Sequence, residues 1–383
     1  MAMNPLLQLA EYGQSYWLDN LTRNKITSGE LKRRVTGEGL RGVTSNPAIF
    51  HKAIAGSSDY DEQMARLAAE GRSAAEIYEA LVIRDIQGAC DILRPVYDES
   101  GGLDGYVSLE VSPHLAFDAD DSVEEARRLH GLVSRPNLFI KIPGTPAGLP
   151  AIEELLFEGV NVNITLLFAI DAYEAVAWAC IRALERRAEA GRPLDTVASV
   201  ASFFLSRIDT LTDEQLQERM AAGETPSIGP RPEELLGKVA IANAKLAYQR
   251  FKEILGSGRW RALAEKGARP QRIVWASTST KNPRYSDVMY VEPLIGPHTV
   301  NTMPDETIQA FADHGRVAAT VERDVDEARR VMDHLRQVGV DFGRVTDQLL
   351  QEGVQKFIEP YDKLLKTIAE RSAALAGAAA RPG

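Results

Sequence analysis

Short apolar, β-branched runs alternate with longer amphipathic segments along most of the chain. The runs fall at 14–18 (QSYWL), 41–44 (RGVT), 105–111 (GYVSLEV), 137–142 (NLFIKI), 160–166 (VNVNITL), 197–203 (VASVASF), 272–278 (RIVWAST) and 298–302 (HTVNT). Strands separated by helices favour a parallel sheet. Eight such units in one chain predict a single (β/α)8 TIM-type barrel with extra helices. Residues 1–371 form the expected barrel, with helical insertions near 51–104 and 209–270. Segment 343–371 reads as a long helix able to close over the barrel, and 372–383 as a flexible tail. Ser122 with Glu125, and Thr212 with Gln215, have the spacing of capping boxes. Pro304-Asp305 marks a further helix start, and 220–232 (MAAGETPSIGPRP) an exposed loop.

Alternation along a strand separates two faces. Tyr106, Ser108 and Glu110 share one face, against Val107, Leu109 and Val111 on the other. Asn161, Asn163 and Thr165 oppose Val162, Ile164 and Leu166, and Lys141 shares the face of Phe139. The apolar sets are expected to meet the outer helices and the polar sets to face the barrel interior. Asp19, Thr44, Asn46, Glu110, Lys141, Asn163, Thr165 and Ser202 also sit late in or just beyond their strands, where barrel enzymes build their sites.

Lys141 is the most pointed of these. An ammonium buried among Leu138, Phe139, Ile140 and Ile142 is costly without a partner, and desolvation is how enzymes make a lysine nucleophilic. A neutral amine attacks a ketone to form an iminium, which acts as an electron sink for breaking a neighbouring carbon–carbon bond. Such chemistry needs an acid/base. Asp19 is the candidate, with a turn or cap residue as the plainer alternative. Glu110 is placed to move protons through a water held by Thr165. Ser202, Arg207, Ser279 and Lys281 lie at or past the ends of the sixth and seventh strands, where late barrel loops often hold phosphates. A surface ion pair is the plainer reading of Arg207.

Composition narrows the field without changing this reading. The 383 residues carry a net charge of −10, with 26% charged and 44% hydrophobic. That balance disfavours general nucleic-acid or anionic-membrane binding. The N-terminus lacks a signal-peptide pattern, and no run is long and apolar enough to span a bilayer, so the cytoplasm is the expected compartment. The six histidines show no HxxxH or HxH spacing, and the two cysteines, Cys90 and Cys180, read as reduced core thiols. No metal site is expected.

Four stretches then carry a resemblance: GVTSNPAIF (42–50), VSLEV (107–111) with LAFD (115–118), NLFIKIPGTPAG (137–148) and NVNITLLF (161–168). In this order and spacing the chain resembles the transaldolases over roughly residues 10–365. The segment KNPRYSDVMYVEPLIGPHTVNTMP (281–304) is similar to a longer subfamily, also found fused to a glucose-phosphate isomerase. The resemblance implies a Schiff base on Lys141, acid/base chemistry by Asp19, and a relay water held by Glu110 and Thr165. It implies sugar binding by Asn46, Asn163 and Ser202 with Thr44 nearby, an active-site aromatic at Phe204, and phosphate binding by Arg207. Lys281, beside Ser279, stands where the family pattern has a second arginine. The implied reaction transfers a dihydroxyacetone unit from sedoheptulose 7-phosphate to glyceraldehyde 3-phosphate, giving erythrose 4-phosphate and fructose 6-phosphate. This is a step of the non-oxidative pentose phosphate pathway, and it needs no cofactor. The expected partners are these sugar phosphates, in a monomer or homodimer. The alternatives are a class I aldolase releasing free dihydroxyacetone and a barrel that binds sugar phosphates without turnover.

Overall fold

The computed structural model describes residues 4–223 and 229–379, with side chains as far as 375. Its strands are β1 (Gln14–Leu18), β2 (Gly42–Val43), β3 (Tyr106–Glu110), β4 (Leu138–Pro143), β5 (Val162–Leu167), β6 (Ser199–Phe204), β7 (Arg272–Ala276) and β8 (Thr299–Met303). They pair in sequence order, all parallel, and β8 closes on β1. Helices surround them, so the expected (β/α)8 barrel is present.

The two faces of each strand do different work. Trp17, Tyr106, Phe139, Val200, Val274 and Val300 point inward and form their own buried cluster in the barrel. Tyr106 and Phe139 meet at 4.1 Å between ring centroids. Burying side chains such as Phe139 or Val274 fully is worth about 1.5–3 kcal/mol each. Gly42 belongs to this layer for a steric reason: a Cβ there would stand 2.6 Å from the indole of Trp17. The outward set, including Leu109, Ile140, Ile142 and Ile164, joins the larger core beneath the helices.

The N-terminal end of the barrel is plugged by polar groups. Arg272 donates to Asp104 at 2.9 Å and to Ser15 Oγ at 2.6 Å, and Ser15 Oγ donates to Asp104 at 2.6 Å. This leaves the opposite, C-terminal end for the chemistry.

The two long connections contain helices. Residues 51–104 carry helices Asp61–Ala69 and Ala74–Glu99, and 209–270 carry Val239–Leu255 and Gly258–Ala264. Both expected capping boxes are corrected. Helix Ala119–Val133 starts earlier, with Asp118 accepting from the Asp121 amide at 3.0 Å, so Ser122 lies inside it and donates to the Leu115 carbonyl. Thr212 lies inside helix Ser206–Ala221 and donates to the carbonyl of Ile208, four residues back. A hydroxyl can be satisfied mid-helix in this way, so its spacing from Glu or Gln does not by itself mark a start. Among the described residues a capping box forms at Ser73 with Glu76. Helix Asp305–His314 begins after Pro304, as read from the sequence.

The last helix runs Phe342–Ala379 and packs on helices Pro47–Ala55, Asp61–Ala69, Ala74–Glu99 and Ser206–Ala221. It therefore continues past 372, where a flexible tail was expected; 380–383 lie outside the described residues. Of the loop expected at 220–232, residues 224–228 also lie outside them. Cys90 and Cys180 are free and buried. Among the described residues no helix is long and apolar enough to cross a membrane.

Candidate active site

Sheet register sets the centre of the site. Glu110 on β3 pairs with Lys141 on β4, and Lys141 with Asn163 on β5, so the three inward side chains stand in one row. Lys141 is 5% exposed. Its Nζ donates to the Ser45 carbonyl at 3.1 Å and faces Glu110 Oε2 at 3.4 Å. A tight ammonium–carboxylate bond is about 2.7–2.9 Å. At 3.4 Å the amine is held in place without being locked to the carboxylate. Burial pushes the Glu110 carboxyl above its ordinary range, with the Lys141 charge opposing that shift. Glu110 Oε1 and Thr165 Oγ1 are both buried with no hydrogen-bond partner among the described residues. Buried polar atoms without a protein partner are where an ordered water is expected, and Thr165 lines the same cavity as Lys141.

Asp19 follows β1 directly, and its amide continues the ladder by donating to Met303 O at 2.8 Å. Thr44 Oγ1 donates to Asp19 Oδ1 at 2.7 Å and lies 2.7 Å from Thr302 Oγ1. With the Thr44 proton given to the carboxylate, Thr302 is the donor to Thr44. Burial raises the Asp19 carboxyl above its ordinary range. The Thr44 hydrogen bond, Lys141 and Arg207 oppose the rise, and Glu306 adds to it. A carboxyl that takes up a proton more readily than usual suits an acid/base role.

Asp19, Lys141 and Thr165 open onto a cavity of about 260 Å³ at the C-terminal mouth. Asn46 lines it while capping helix Pro47–Ala55 through Oδ1, with Pro47 at the first helical position. This gives the TSNP stretch a local reason: Asn caps and Pro pre-sets the backbone angle. On the far wall, Arg207 lies 5.3 Å from the Phe204 ring. Its Nη1 is buried with no hydrogen-bond partner among the described residues, and burial lowers the pKa of the guanidinium. Lys281 donates to Ser279 Oγ beside it, and both line the cavity.

Two carboxylates clasp this wall together. Asp209 accepts from Ala240 N at 2.8 Å and Tyr290 OH at 2.9 Å; Asp213 accepts from Gly237 N at 2.9 Å and Tyr285 OH at 2.6 Å. They tie the helix that opens with Ser206 and Arg207 to the segment that bears Ser279 and Lys281. Burial holds the Asp209 carboxyl up to about 7.

Every residue singled out from the sequence lines this cavity except Glu110 and Asn163. Glu110 sits behind Lys141. Asn163 is fully buried in the floor, accepting from Ser202 Oγ at 2.8 Å and donating to Ser108 Oγ at 3.0 Å. Sequence reasoning missed Thr302, Glu306 and Phe357, which also line the cavity. Thr302 was within reach, because it shares a face with inward Val300. Phe357 had no such signal: it belongs to an apolar stripe of the last helix that reads as ordinary core.

A closed barrel with a buried lysine, two carboxylates and a free guanidinium at its C-terminal mouth defines the class: a (β/α)8-barrel enzyme with its site at the strand ends. The family described as Transaldolase/Fructose-6-phosphate aldolase matches residues 16–368. A transaldolase of Trichodesmium erythraeum is 51% identical over 373 residues, covering 97% of this chain and 98% of its own. Transaldolase 2 of Nostoc punctiforme is 50% identical over 374 residues, covering 97% and 98%. A transaldolase of Thermobifida fusca is 46% identical over 372 residues, covering 97% and 99%. The chain belongs to the transaldolase/fructose-6-phosphate aldolase family.

Proposed function

We propose that this enzyme is a transaldolase that moves a dihydroxyacetone unit between sugar phosphates through an iminium on Lys141. The donor is sedoheptulose 7-phosphate and the acceptor glyceraldehyde 3-phosphate, giving erythrose 4-phosphate and fructose 6-phosphate. The observation that carries the reading is the Lys141 amine, buried among strand side chains yet open to a cavity that Asp19 also lines.

In this reading the Lys141 amine attacks the donor ketone, and the carbonyl oxygen leaves as water. Glu110 and Thr165 hold the water that ferries protons in this step. Asp19 then takes the proton of the C4 hydroxyl as the C3–C4 bond breaks. The first aldehyde departs and an enamine stays on the lysine. Asp19 returns its proton to the acceptor's aldehyde oxygen as the new bond forms. Water then adds to the product iminium, the carbon–nitrogen bond breaks, and the ketose leaves with the Lys141 amine restored. Electrons released at C3 pass into the iminium nitrogen, so the lysine supplies the sink. Arg207 and Lys281, with Ser279, hold the substrate phosphate.

Incubation with fructose 6-phosphate followed by borohydride tests the reading. A three-carbon adduct on Lys141 is expected by peptide mass spectrometry, and none on any residue in Lys141→Ala. A folded wild-type protein that consumes fructose 6-phosphate without an adduct on Lys141 overturns it.

The phosphate reading makes a separate prediction. Arg207→Ala is expected to raise KM for the phosphorylated donor about 10²-fold, the scale of a lost charge-assisted contact. Lys281→Ala should raise it less, because a lysine offers a point charge rather than a fork. Initial rates against donor concentration read both. Equal KM values for wild type and Arg207→Ala would remove Arg207 from the phosphate site.

A further inference from the structure

The wall that carries Lys281 is supported from behind, by residues that do not line the substrate cavity. Lys281 sits in a short turn that closes on itself. Thr280 Oγ1 donates to the Ser286 carbonyl at 2.7 Å, and the Tyr285 amide to the Asn282 carbonyl at 3.0 Å. Tyr285 anchors this turn to the helix that opens with Ser206 and Arg207. Its hydroxyl donates to Asp213 Oδ2 at 2.6 Å, while Asp213 Oδ1 accepts from the Gly237 amide at 2.9 Å.

Gly237 makes the seat possible. Its φ is 69°, a left-handed conformation that glycine adopts at little cost. A Cβ there would stand 2.7 Å from Tyr285 Cζ. The ring therefore lies directly on backbone, and its hydroxyl meets Asp213 at a fixed place. Lys281 needs such a support. It is exposed, and it lines two cavities: the substrate cavity with Arg207 and Ser279, and a neighbouring one of about 370 Å³ with Asp209, Asp213 and Tyr285. A lysine is a flexible stem with a strongly hydrated head, so the side chain itself does not select the first. Its hydrogen bond to Ser279 joins two residues of one segment and sets nothing relative to Arg207.

We infer that Tyr285 is a positioning residue for the substrate phosphate: through Asp213 it fixes Lys281 relative to Arg207, so that the two cations grip one phosphate together. The inference rests on the phosphate reading of Arg207 and Lys281 above. Asp213 shares a helix with Arg207, and Tyr285 shares a closed turn with Lys281. The bond between them thus joins the two carriers of positive charge. Without it, the lysine must be ordered at each binding event, a cost that falls on affinity. The amine of Lys141 belongs to β4, away from this turn, and keeps its chemistry. The second clasp, Tyr290 on Asp209, still holds the segment to the helix when Tyr285 is altered.

The test is a double-mutant cycle read as affinity for phosphate, which loss of folded protein alone does not move. Full-length wild type, Tyr285→Phe, Lys281→Ala and the double variant are given fructose 6-phosphate at fixed erythrose 4-phosphate, with inorganic phosphate as competing inhibitor. Tyr285→Phe keeps the ring on Gly237 and loses the hydroxyl. It is expected to raise KM and the phosphate Ki about fivefold with kcat unchanged, the scale of ordering one long side chain on binding. In the Lys281→Ala background the same change should move neither by more than about 1.5-fold, because the residue it positions is gone. Gly237→Ala drives a methyl group into the Tyr285 ring and should reproduce the rise from the other side of the contact. If the glycine variant does not fold, the tyrosine pair decides. An unchanged Ki in Tyr285→Phe, or an equal rise in both backgrounds, overturns the role of Tyr285. A Ki that Lys281→Ala itself leaves unchanged overturns the phosphate reading of Lys281, and the inference falls with it.

Discussion

Lys141→Arg is expected to lower the rate of transfer by roughly 10⁴-fold or more, the scale seen when a covalent nucleophile is removed. The substitution keeps a positive charge beside Glu110 and tests chemistry rather than charge balance. A guanidinium cannot shed its proton in a protein, so it cannot form the iminium. Lys141→Ala is the complementary variant. It leaves Glu110 buried without its counter-charge, which is severe for an ionised carboxylate. Burial already raises that carboxyl, so without Lys141 it takes up a proton and the charge disappears. Both variants should therefore fold, with melting transitions near wild type and no transfer in a coupled assay. Arginine activity within about tenfold of wild type would mean that Lys141 acts as a charge and not as a nucleophile.

The barrel was legible because its physics is local. Each strand is a short run rich in apolar residues, most of them β-branched or aromatic, and the alternation along it assigns faces without any knowledge of partners. The same alternation brought Asp19, Glu110, Lys141 and Thr165 together, because inward positions late in parallel strands must converge on one mouth. The missed features are those in which distant segments meet. Phe357 reaches Lys141 only because the last helix crosses back over the barrel, and nothing in its own stripe distinguishes a ring facing a cavity from one facing a core. The positive φ at Leu166 is likewise invisible in NITLLF, where a leucine argues for regular strand. Asn163 shows the reverse error. Its face was read as inward, and it is inward, but the floor hydroxyls of Ser108 and Ser202 take up its amide. Pattern gives direction and does not give depth. The misplaced capping boxes fail for a related reason. Ser122 and Thr212 find backbone carbonyls within their own helix or the turn before it, an outcome that spacing alone does not separate from a cap.

Asp19→Asn is expected to cost about 10²–10⁴ in the rate of carbon–carbon cleavage, the range for a positioned acid/base. The amide oxygen can still accept from Thr44, so the geometry of the mouth is kept while the proton carrier is lost. The same substitution should change stability in the opposite direction. Burial raises the folded-state pKa of Asp19 above its unfolded value. Between those two values the folded chain binds more protons than the unfolded chain, so stability falls as pH rises. The contribution of the protonated carboxyl is complete below the unfolded pKa and is lost as pH passes through the folded one. An asparagine does not titrate. Its advantage over wild type should therefore be absent in acid, grow as pH rises from the ordinary carboxylate range, and level off above the raised pKa. Denaturant midpoints for the two proteins across pH 4–9 measure this difference. A gap that widens toward alkaline pH, together with lost cleavage, marks a carboxyl whose ionised form costs the fold and serves the chemistry. A gap independent of pH would mean that Asp19 ionises as an ordinary surface carboxylate, and the acid/base assignment would lose its physical basis.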